Sequence, residues 1–102
     1  MPYTVKRFRF RLQSLLHIEQ SRERQAQIAF QKALGDLRRQ QETLARQEEE
    51  FRIEQEGMAA AIRRGTSPQE LFAYEQFFTG LKARMDAQRA LIAQAEIGRA
   101  HV

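Results

Sequence analysis

Any chemistry in this chain would have to be built from two histidines, thirteen carboxylates and a few hydroxyls, because it contains no cysteine. That removes disulfides, thiolate zinc sites and thiol nucleophiles together. His17 is the one histidine ahead of the C-terminal stretch that holds His101. A zinc site on a helix would want a second ligand four residues on, and that position is Ser21. A structural or solvated His17 is the plainer reading. The densest acidic group is Glu48-Glu49-Glu50 with Glu54 and Glu56. On a helix these side chains fan around most of the circumference, with Arg46 and Arg52 near enough to form exposed pairs, so a solvated face is expected there rather than a cation site. No Ser/His/Asp set, glycine-rich phosphate loop or buried carboxylate pair can be assembled. The chain is expected not to be an enzyme, and it calls for no cofactor and no metal.

If side chains do no chemistry, they must build a surface, and the composition says which kind. Charged residues make up 29% of the 102 residues, Ala, Glu, Leu, Arg and Gln abound, and there are only two prolines. That is the composition of long helices rather than of a globule. Hydrophobic residues at 42% are too many for a disordered chain, so the apolar material must run along a seam. The net charge of +4 and pI near 10.1 are compatible with nucleic acid, acidic protein or anionic lipid, and choose none of them. No stretch approaches the roughly 18 apolar residues of a membrane span. Lys6, Arg7, Arg9 and Arg11 interrupt what a signal peptide would need as an apolar core, so the expected compartment is the cytoplasm.

Residues 1–10 read as an extended or frayed basic segment, since Phe8 and Phe10 alternate with basic residues at period two. From Arg11 to Arg64 there is no proline, and good helix formers fill nearly every position. Phe30, Leu37, Leu44, Phe51 and Met58 recur every seven residues. Their companion position is diluted by Gln40, Gln41, Gln47, Glu48, Glu54 and Gln55 before Ala61 and Ile62 restore it. Gly65 then offers a left-handed cap, with a turn at 65–67. Ser67, Pro68 and Glu70 form an N-cap, a first-position proline and a capping box for a second helix, 68–95. Its seam is the better one: Leu71, Tyr74, Phe78, Leu81, Met85, Gln88, Ile92 and Ala95 alternate three and four apart. That period predicts a left-handed supercoil, and the short turn makes the helices antiparallel. The expected fold is all-α, a long two-helix antiparallel coiled-coil hairpin over residues 11–95.

Residues 96–102 fit nothing before them. The register dissolves, Gly98 stands mid-helix, and one choice of codons for the stretch spells the start of a widely used sequencing adapter. It is expected to be a non-native tail, with the natural chain continuing past Ala95. The missing piece would pair with residues 11–35, where Leu12, Leu15, Leu16, Ile18, Ile28 and Phe30 otherwise lack partners. A nucleic-acid reading of the basic start is weaker. A basic-zipper arm would run unbroken into a parallel zipper, whereas Glu19 and Glu23 interrupt this one and the turn disfavours a parallel dimer.

The opening Phe8-Arg9-Phe10-Arg11-Leu12-Gln13-Ser14-Leu15-Leu16 resembles the start of the flagellar FliJ family, small coiled-coil proteins of the bacterial flagellar export apparatus. The resemblance resumes at Ser67-Pro68-Gln69-Glu70-Leu71 with Tyr74-Glu75-Gln76-Phe77 and Leu81, and covers residues 6–95. It implies a rod, like the central stalk of a rotary ATPase, that serves type III protein export in flagellar motility and chemotaxis. The implied partners are the hexameric export ATPase, the membrane export gate and export chaperones, with no nucleic acid and no small-molecule substrate. The implied location is the cytoplasmic face of the inner membrane, held peripherally. The family's gate-contacting Tyr-x-x-Phe-x-x-x-Leu pattern falls on Tyr74, Phe77 and Leu81. Phe77 also lies off the apolar stripe, where an aromatic remains for a partner. The alternatives are the equivalent stalk of a virulence type III secretion system, and a generic coiled-coil scaffold or nucleic-acid-binding protein.

Overall fold

The computed structural model describes the backbone of residues 2–101; Met1 and Val102 lie outside the described residues. Two helices account for nearly all of it: α1, Pro2–Arg63, and α2, Pro68–His101. They pack antiparallel into a rod 97 × 16 × 15 Å, the hairpin expected from the heptads. No strand occurs among the described residues.

The seam answers a question the sequence left open. Of the rival companion positions on α1, the inward ones are Gln40, Gln47, Glu54 and Ala61, which with Leu37, Leu44, Phe51 and Met58 alternate three and four apart. Gln41, Glu48 and Gln55 face solvent, and Ile62 is likewise exposed. On α2 the inward residues are the eight of the expected stripe, Leu71 through Ala95, joined by half-buried Phe77. The fully enclosed part is small: Leu37, Ala61, Leu81 and Met85, plus the polar Gln88. Two cross-helix contacts set the register. The Phe51 and Phe78 rings lie 5.0 Å apart, and the Gln88 side-chain amide donates to the Gln40 carbonyl at 3.0 Å and to its side-chain oxygen.

Three boundaries differ from expectation. Residues 1–10 were expected to be extended or frayed, yet α1 is helical from Pro2. Proline at a first helical position forfeits no hydrogen bond. Thr4, Val5, Phe8 and Phe10 each cost only a few tenths of a kcal/mol, and extending an existing helix avoids the cost of nucleation. The Phe/basic alternation meets no second strand that would reward an extended chain. At its other end α1 stops at Arg63, a residue before the expected limit at Arg64. Finally, α2 does not end at Ala95 but runs through Gly98 to His101. One mid-helix glycine, costing about 1 kcal/mol relative to alanine, does not break a helix flanked by good formers. The seam, however, ends where the register does: residues 96–100 are exposed.

The turn is built as its residues dictate. Gly65 takes φ 84°, a left-handed conformation that disfavours any residue with a Cβ. The Arg64 amide reaches the carbonyls of Ala60 and Ala61, and the Gly65 amide that of Ile62, which satisfies the end of α1. Ser67 caps α2 by accepting from the Glu70 amide at 3.1 Å. The reciprocal half of the capping box is replaced. The Glu70 carboxylate accepts from the Thr66 hydroxyl at 2.6 Å, so the box is closed one residue earlier.

Candidate functional site

Immediately past the turn, α2 carries four aromatic residues in seven positions, Phe72, Tyr74, Phe77 and Phe78, and Phe51 arrives from α1. Helical spacing sends them in different directions. Phe78 is the hub. It packs at 58° on Phe51, lies nearly parallel to Tyr74 with centroids 6.4 Å apart, and takes Phe77 edge-on at 5.9 Å. Such offset and edge contacts are the favoured arrangements of ring quadrupoles. Lys82 sets its ammonium 5.9 Å over the Phe51 ring and closes the cluster on its distal side.

The three residues expected to meet a partner therefore stand in different situations. Leu81 is fully buried, with 0% of its surface exposed, so its direct place is the seam. Tyr74 is half-buried in the stripe and points its hydroxyl at α1, where a Cβ on Gly57 would sit 3.5 Å from it. Phe77 is half-buried rather than free, leaning on Phe78 while its outer face lines an open groove of about 320 Å³ with Glu54, Glu70, Ala73 and Tyr74. A groove of that size and openness suits one anchoring side chain of a partner, not an enclosed small molecule. Its rim is acidic, from Glu54 and Glu70.

Phe72 is the aromatic that the sequence reading passed over. It is 61% exposed, the most outward ring near the turn. The signal was available: Phe72 follows Leu71 by one residue, and a 100° step carries it well away from the seam.

The remaining candidates stay as surface. Arg52 donates to Glu49 at 2.9 Å and to Glu56 at 2.7 Å, forming an exposed ladder along α1. The guanidinium holds the Glu49 carboxyl below its ordinary pKa, and Arg52 is correspondingly raised. Among the described residues no group of three or more His, Asp or Glu could hold a metal ion. None of the described helices is long and apolar enough to cross a membrane.

A two-helix rod with a small core, a capped turn and an aromatic shoulder belongs to the class of antiparallel coiled-coil hairpins. The family model described as Flagellar FliJ protein matches residues 8–101. The chain belongs to that family, whose members are components of the flagellar protein export apparatus. No curated protein and no solved structure matches it.

Proposed function

We propose that this hairpin is the non-catalytic stalk component of the flagellar type III export apparatus, bridging the hexameric export ATPase and the membrane export gate. The observation that supports the reading, beside family membership, is the aromatic shoulder at the turn end of the rod, where Phe77 lines an open groove of about 320 Å³. A rod with distinct surfaces at its two ends can hold two partners apart. The turn end offers the Tyr74–Phe77 shoulder to the gate, with Leu81 as the buried residue that holds the shoulder in register. The ATPase takes the opposite end of α1. Export chaperones would share the shoulder, and the whole would sit peripherally at the inner face of the membrane.

Binding of the full chain to the isolated ATPase hexamer and to the soluble domain of the gate protein tests both halves separately. Phe77→Ala should weaken gate binding on the order of thirtyfold, as truncating an anchoring aromatic does, and leave ATPase binding unchanged. Absence of binding to either partner by the folded chain would end the stalk reading. Unchanged gate binding by Phe77→Ala would remove only the shoulder.

A further inference from the structure

We propose that the flank of the hairpin opposite the Phe77 groove binds an amphipathic helix of a partner protein. That helix carries a basic and an acidic side chain two turns apart beside its apolar stripe. The seam is only two helices thick, so its inner side chains cover one another but stay open from the sides. On this flank two grooves, of about 480 Å³ and about 350 Å³, share Phe51 and Lys82 and run into one another. Their floor is Phe51, Met58, Phe78 and Met85. Two rings and two flexible thioethers make a floor that adapts to an aliphatic stripe laid on it.

The heptad extends this floor toward the turn. Ile62 stands seven residues beyond Gln55, and Phe72 seven before Thr79, and both Gln55 and Thr79 line the first groove. Ile62 is 52% exposed and Phe72 61%, so an open apolar strip runs from the turn to Arg89, about 25 Å along α2. Glu75, on the wall of this strip, stands about 200° around α2 from Phe77, which separates the strip from the shoulder. Both helices are present along the whole stretch, so the strip does not depend on where either one ends.

Charge selects the occupant. Asp86 and Arg89 satisfy one another on this wall at 3.1 Å. Glu75 and Lys82, one heptad apart on the same wall, form no ion pair among the described residues, and the Lys82 ammonium rests over the Phe51 ring instead. A helix laid along the floor desolvates both, so it must bring a cation to Glu75 and a carboxylate to Lys82. Seven residues of helix span about 10 Å, so one partner helix supplies both charges from positions one heptad apart. Ile62, Met58, Gln55 and Phe51 fall four, three and four apart, a ridge that accepts the apolar edge of such a helix. Other occupants fit worse. A second copy, paired about a two-fold at the middle of the groove, would set Lys82 against its own counterpart. Nucleic acid or anionic lipid would bring phosphates against Glu75 and Asp86. A small molecule finds no enclosure in so long and open a trough. The inference uses neither Tyr74 nor Phe77 and survives if the stalk reading fails.

The test titrates the full chain, followed by fluorescence anisotropy, against labelled stapled helices of about eighteen residues that are monomeric alone. One helix carries a leucine edge with Lys and Glu seven apart beside it; the other carries Lys at both flanking positions. The mixed-charge helix should bind at least about fivefold more tightly than the two-lysine helix, and Lys82→Glu should reverse that order. Phe72→Ser should weaken the mixed-charge helix about tenfold, while Phe77→Ala, on the other flank, should change it less than about twofold. The melting temperature of Phe72→Ser should match that of the unaltered chain, because the ring points outward. Absence of binding by the mixed-charge helix overturns the proposal, as does equal affinity for the two helices or an order that Lys82→Glu leaves unreversed. A Phe77→Ala loss equal to that of Phe72→Ser would move the contact to the shoulder and overturn it too. So would a dimer of the chain alone that Phe72→Ser dissociates, which assigns the strip to a second copy. Tighter binding of duplex DNA or of phosphatidylglycerol vesicles, lost in Lys82→Glu, would assign it to an anionic surface instead.

Discussion

Gln47 holds a buried side-chain oxygen with no hydrogen-bond partner, beside a layer where Gln88 and Gln40 satisfy one another across the helices. A buried acceptor without a partner costs on the order of 1–3 kcal/mol, so Gln47→Leu should raise stability by about 1–2 kcal/mol in urea unfolding. No rise would mean that the oxygen is satisfied in solution. The aromatic shoulder gives a contrast of another kind. Phe77→Ala removes an edge-on contact with Phe78 and should cost about 1 kcal/mol, while Phe72→Ala, which removes an outward ring, should leave the melting temperature almost unmoved. Affinities of Phe77 variants therefore need correcting for folding. The Glu49–Arg52 pair behaves as exposed pairs do. Because the Glu49 pKa is depressed in the fold, whatever the pair adds is present above the ordinary carboxylate pKa and fades as the pH falls through the lowered one. At this scale the sequence was partly legible. It separated Phe77 from the stripe but could not show that Phe78 would draw its ring in, because that depends on the facing Phe51.

The elements rest on two termini and one unequal pairing. Gly65→Ala forces a Cβ into a left-handed conformation and should cost about 1 kcal/mol, and Ser67→Ala, which removes the acceptor for the Glu70 amide, about 1 kcal/mol more. Chemical denaturation of each single variant and of the double checks both values. Gly57→Ala makes the opposite case. Its Cβ would meet the Tyr74 hydroxyl oxygen at 3.5 Å, an ordinary contact, so the helix-propensity gain of roughly 0.5–1 kcal/mol should be realised. The capping residues were legible because Gly, Ser and Pro act locally. The start of α1 was not, because helix there is decided by propagation from a long neighbour and not by the residues at the end. The choice between Gln40 and Gln41, or Gln47 and Glu48, was also closed to periodicity, since both members of each pair are polar. Only the partner helix decides it.

At the scale of the whole molecule, one helix does two jobs along its length. From Leu37 to Ala61 it is half of a seam; from Thr4 to Phe30 it is exposed at every described position. Amide hydrogens in residues 11–30 should exchange fast, as a helix without tertiary burial opens easily, and those at Phe51, Leu81 and Met85 slowly. Slow exchange in 11–30 of a confirmed monomer would show that the segment is protected by something other than its own helix. The hairpin was legible from heptads and a marked turn, whereas partners are suggested only by family resemblance, because a solvent-facing stripe carries no record of what covers it.

The placement of charge has a consequence for how this rod meets anything. Its uncompensated cations lie at one end of a body 97 Å long, so the molecule is an electrical dart with a charged point and a balanced shaft. The screening length in physiological salt is about 8 Å, so a negative target pulls on the point while the shaft feels almost nothing. Encounters become oriented before contact, and the search over angles that slows the docking of elongated bodies is shortened. In stopped-flow measurements against an anionic target, the association rate should fall as salt rises, and Arg7→Gln with Arg11→Gln, which removes two of the four cations Lys6, Arg7, Arg9 and Arg11, should take away about half of that dependence. Glu49→Gln, midway along the shaft, should leave it intact. The apolar residues between the cations would instead govern how long the complex lasts, so capture and retention are separable within about three turns of one helix.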